Sequence, residues 1–174
     1  MHRLRSCSRV LSGCAALLAA AGLASLAALG PAAGAVASTP SSTSVCQPQV
    51  TIGVLPVWAR AGFSGTAPRM AYSLGRDGKI AALLWGNPLL SPPAKTHRNK
   101  ILWVSREPAV AGSDLQISAQ RLNGSSPLGA PVARRVTGGP GPSIINLPAA
   151  GCWRLRLQWS GRTDTIDLRY SANR

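Results

Sequence analysis

Apolar and polar positions divide the chain into two unlike parts. Residues 10–29, from Val10 to Leu29, carry no charge; they follow Arg3, Arg5 and Arg9, and Pro31 ends the run. From Gln49 onward the apolar stretches are short and separated by Gly, Pro, Ser and Asn. That pattern predicts strands over 50–55, 79–85, 100–105, 115–121, 132–137, 143–147, 152–159 and 165–170. Pro92-Pro93, Asn123-Gly124 and the Gly/Pro run over 138–142 act as breakers between them. Beyond residue 38 no window of helical length sustains an i, i+3, i+4 apolar repeat. Seven or eight short strands at this spacing predict an all-β fold, a sandwich or a small barrel.

The strongest alternation lies near the C-terminus. Trp153, Leu155, Leu157 and Trp159 fall on one face of a strand, with Arg154, Arg156 and Gln158 on the other. Ser160-Gly161-Arg162 reads as a three-residue hairpin loop, after which Ile166, Leu168 and Tyr170 alternate again. Cys152 shares the parity of the Arg face, which puts it at the start of the strand rather than in mid-core.

The first part of the chain has the layout of a secretory leader: a basic head, an apolar run, and Ala35-Val36-Ala37 as small residues for a peptidase. The expected organisation is a signal peptide over 1–37, a flexible Ser/Thr tether over 38–48 and a β-domain over 49–174. Two competitors are weaker. An uncleaved anchor needs a span of ~20 apolar residues, but this run is rich in Ala, which seeks the membrane only weakly. Acylation at Cys14 in Leu11-Ser12-Gly13-Cys14 is opposed by spacing, because the apolar run follows that Cys instead of preceding it.

Composition narrows the picture. With 45% hydrophobic and 14% charged residues in 174, the chain has enough apolar content for a core and too few charges for a coiled coil. Loss of the leader removes three Arg, taking the net charge from +14 to +11, and leaves Cys46 and Cys152 as the remaining cysteines. Two Cys in an exported domain most simply form one disulfide.

Leu147-Pro148-Ala149-Ala150-Gly151-Cys152-Trp153-Arg154-Leu155, with the hairpin after it, resembles the last strands of immunoglobulin-like extracytoplasmic domains. Together with Asn99-Lys100-Ile101-Leu102-Trp103-Val104 and Gly141-Pro142-Ser143, it looks like a group of small exported immunoglobulin-like β-sandwich proteins of Gram-positive-type bacteria. The resemblance covers roughly 79–170. It implies a sandwich outside the membrane and brings no activity with it.

Catalytic chemistry finds little to work with. His97 is the one His beyond the leader, and its neighbours Lys95, Arg98 and Lys100 oppose the imidazolium that a Ser-His-acid mechanism builds. The five acids, Asp77, Glu107, Asp114, Asp164 and Asp167, are scattered. Asp164 with Arg162, and Asp167 with Arg169, read as surface charge pairs. No metal-ligand spacing or phosphate-binding loop is present, so no enzyme activity, metal or cofactor is expected.

The positive balance is the remaining signal. Arg154 with Arg156, Arg134 with Arg135, and Lys95, Arg98 and Lys100 are the expected contacts to an anionic cell-wall polymer or membrane surface. Nucleic acid is not an expected partner of an exported chain. Trp85 and Trp103 lie inside apolar runs and are expected in the core, whereas Trp58, beside Pro56 and Arg60, is the aromatic that could meet a ligand. A secreted protease inhibitor presenting 87–93 or 138–142 as loops is the alternative from a different functional class.

Overall fold

In the computed structural model, residues 45–60 and 62–173 are described; the expected leader, Ala37, Cys14 and residues 38–44 of the tether lie outside the described residues. In chain order the strands are β1 (Thr51–Val54), β2 (Arg69–Leu74), β3 (Ile80–Leu84), β4 (Leu89–Ser91), β5 (Lys100–Ser105), β6 (Leu115–Asn123), β7 (Ser126–Pro127), β8 (Val132–Val136), β9 (Pro142–Ile144), β10 (Gly151–Trp159) and β11 (Arg162–Ala172). One sheet runs β1-β2-β3-β5-β9; the other runs β4-β11-β10-β6-β7, with β8 also on β6. The fold is therefore all-β in two sheets, as the alternation predicts. All pairings are antiparallel except β4 with β11.

The two sheets close over a common core. Ile80, Ala82, Leu84, Ile101 and Trp103 of the first sheet meet Ile117, Trp153, Leu155, Leu157, Trp159, Ile166, Leu168 and Tyr170 of the second. Fully burying each Leu or Ile contributes about 1.5–3 kcal/mol. The buried indoles keep their N–H groups bonded: Trp103 donates to Ser143 Oγ, Trp153 to Ala149 O and Trp159 to Ser105 Oγ, each at 2.9 Å.

The outer face of the first sheet is covered as well. A 3-10 turn at Val57–Ala59 brings Leu55 and Ala59 against Ala81 and Leu83. Strand β3 is consequently buried along its whole length, which accounts for an unbroken apolar run where the other strands alternate.

Several expectations need correction. β2 escapes a reading by alternation because its inward positions are small, Ala71 and Ser73. β4 lies between Pro88 and Pro92, whose peptide bonds are both cis, so breaker residues hide a short edge strand where Pro is tolerated. The loop of the last hairpin has two residues, not three. Trp159 pairs with Arg162, and Ser160 and Gly161 take φ of 46° and 72°, the left-handed pair that a type I′ turn requires. Finally, residues 45–48 are not free tether: Cys46 is bonded to Cys152 with Cα atoms 6.2 Å apart, and the Gln47 N–H donates to Asp167.

Candidate functional site

The acids do not form the surface pairs that sequence proximity suggests. Asp167 on β11 lies directly opposite Arg154 on β10, and its side chain is 2% exposed. It accepts from Arg154 Nε at 2.8 Å and Nη2 at 2.9 Å, from Arg76 Nη2 at 2.8 Å and from the Gln47 N–H at 3.0 Å. Burial alone would push this carboxyl up, but the hydrogen bonds from Arg154, Gln47 and Arg76, with the Arg154 charge, outweigh it and hold the carboxyl below its ordinary range. The same hydrogen bond to Asp167 raises Arg154. Arg169, the expected partner, points outward and is exposed.

Asp164 is buried too and serves the backbone. Its Oδ1 accepts from the N–H groups of Asp77 (3.0 Å) and Thr165 (2.7 Å), and its Oδ2 from that of Lys79 (2.9 Å). The carboxylate thereby ties the β2–β3 turn to the start of β11. A Cβ on Gly75 would fall on this carboxylate, so the turn needs glycine there. Tyr170, buried beneath the same sheet, is pushed well up by desolvation while its hydroxyl donates to Ile145 O at 2.8 Å.

The expected cations separate into two groups. Arg134 and Arg135 point to opposite faces of β8; the first donates to the carbonyls of Asn146 and Ala133, the second pairs with Asp114 at 3.4 Å. Arg154 is occupied by Asp167. Arg156 alone of these is exposed without an ion pair to a described acid, beside a shallow cleft of about 350 Å³ shared with Gln116, Gln158 and Thr163. Lys95, Arg98 and Lys100 form the second group, exposed on and beside the β4–β5 connection.

The exposure of Trp58 and Trp85 differs from expectation. Trp58 is half-buried over the outer cluster of the first sheet, with the Arg106 guanidinium 5.9 Å from its ring centre. Trp85 instead is 55% exposed, because β3 ends one residue earlier and the covering turn stops short of it. Phe63 stacks on it at 6.0 Å and 11°, and Lys100 Nζ stands 5.4 Å from its ring centre. Phe63 and Trp85 edge an open cleft of about 400 Å³ that also takes in Pro68, Arg69 and Met70. The signal that could have found Trp85 is its position at the end of a fully apolar run, just before Gly86 and Asn87.

Residues 87–93, expected as a loop, contain β4. Asn99, fully buried, accepts the Leu90 N–H on Oδ1 and returns Nδ2 to Leu90 O, both at 2.8 Å, in place of a neighbouring strand. His97 bonds Pro88 O through Nε2 at 2.8 Å. Among the described residues no three His, Cys, Asp or Glu side chains gather where they could share a metal. No helix among them is long and apolar enough to cross a membrane. No protein-family model, curated protein or solved structure matches the chain.

Proposed function

We propose that the chain is a non-catalytic, exported module of the cell envelope, an immunoglobulin-like sandwich held at an anionic surface. The strand path supports the immunoglobulin-like reading. β3 and β4 behave as one strand divided between the sheets, β5 and β9 pair in the first sheet, and β6, β10 and β11 lie side by side in the second. A disulfide between the domain's first and last segments fits an oxidising compartment.

The observation that carries the anionic surface is the fate of the acids. Asp167 and Asp164 are consumed internally, Asp77 pairs with Lys79 at 2.9 Å and Asp114 with Arg135. Four of the five acids are thus engaged against the 16 basic residues that follow the leader, and exposed Lys95, Arg98, Lys100 and Arg156 have no ion pair to a described acid. Binding of this origin is screened by salt. Retention of the protein on purified cell envelope should be strong at low ionic strength and fall steadily as salt rises; absent or salt-independent retention overturns the reading.

A further inference from the structure

We infer that the pole carrying Trp85 is the docking face of this module and that its partner is an anionic phospholipid bilayer; this rests on the reading of an exported cationic module. Strand direction sorts the acids along the molecule. β2 and β5 begin, and β3 ends, at one pole; Arg69, Lys95, Arg98 and Lys100 stand there, and Arg169 lies near the same end of β11. The β2–β3, β5–β6 and β10–β11 connections lie at the opposite pole with Asp77, Glu107, Asp114 and Asp164, while Asp167 is locked under two Arg in between. The Trp85 pole therefore gathers these cations without any of the five acids, whereas at the opposite pole Arg76, Lys79, Arg106 and Arg162 stand among acids.

The cations surround apolar surface that a bilayer accepts and a purely polyanionic polymer does not. Trp85 and Ile144, 55% and 46% exposed, flank Lys100 in one row across the first sheet, with Met70 continuing the row and Phe63 stacked on Trp85. An amphipathic ring beside long basic side chains suits the headgroup level of a membrane, where Lys and Arg stems lie along apolar surface and their charges reach phosphate. Cys46 is bonded to Cys152, the second residue of β10, and its N–H donates to Gly124 O in the β6–β7 turn, so Cys46 itself lies toward the Trp85 pole.

The test uses residues 41–174, a compact unit that encloses the core and the disulfide, with vesicles of phosphatidylcholine alone or containing phosphatidylglycerol. Binding only to the anionic vesicles is expected, with a blue shift of tryptophan emission that Trp85→Ala abolishes while the thermal melt is retained. Arg98→Gln with Lys100→Gln should weaken binding about 25-fold, at about fivefold per basic residue, and Ile144→Glu should also weaken it. Arg156→Gln, on the other face, should change it less than about twofold. Retention on cell envelope without vesicle binding overturns this inference and leaves the proposed function standing, whereas failure of both removes both. An equal loss with Arg156→Gln, or polyphosphate matching the vesicles with no emission shift, also overturns it.

Discussion

Asp167 concentrates more of the chemistry of this fold than any other side chain. Two Arg and one backbone N–H converge on a carboxylate that is 2% exposed. Its depressed pKa has a definite sign: the stabilisation is complete above the unfolded-state value of about 3.9 and is lost as pH falls toward the lower folded-state value. Asp167→Asn should cost about 3 kcal/mol at neutral pH, as breaking one partner of a buried pair does, and should flatten the acid limb of a stability-versus-pH curve measured by urea unfolding. The Arg76 arm, 43% exposed, contributes the smaller share because solvent screens it. This pairing was nearly legible in the sequence. A three-residue loop after Trp159 displaces the strand register, whereas the observed two-residue loop sets Trp159 against Arg162 and brings Arg154 opposite Asp167 without further assumption.

Among the elements, those with large side chains on the inward face are the ones that alternation reveals: β5, β6, β10 and β11 fall within a few residues of their expected spans. β2 and β4 escape it because small residues or flanking prolines weaken the periodic signal, and they form only by adding to strands already specified. The β2–β3 turn is fixed by a partner 85 residues away, Asp164 on Lys79 N–H, and no local pattern could announce that contact. Gly75→Ala should therefore destabilise by about 1–3 kcal/mol through overpacking against the carboxylate. In chemical denaturation, Asp164→Ala should absorb part of that cost, so the double variant falls short of additivity; full additivity would show that the two residues do not interact. At the candidate docking pole the basic residues were visible as a run. Trp85 was not, because its exposure depends on where the covering turn stops.

The whole molecule is held by a closure spanning 106 residues of sequence. For a loop of about 100 residues the chain-entropy account gives about 4.7 kcal/mol. Replacing both Cys46 and Cys152 by Ser should lower the unfolding free energy by up to that amount while leaving the fold intact, since neither residue belongs to the core cluster; guanidinium unfolding of the two forms would measure it, and an unchanged midpoint would refute it. The position of that bond also sets how the molecule bears tension. A pull exerted from the N-terminal side meets Cys46 before it meets Gln47 or β1, and passes through sulfur into β10, which is clamped between β6 and β11. Hydrogen bonds further along the strap, to Asp167 and to β2, then carry no load, so a moored domain would keep its edge strand under a drag that would peel it from the reduced protein.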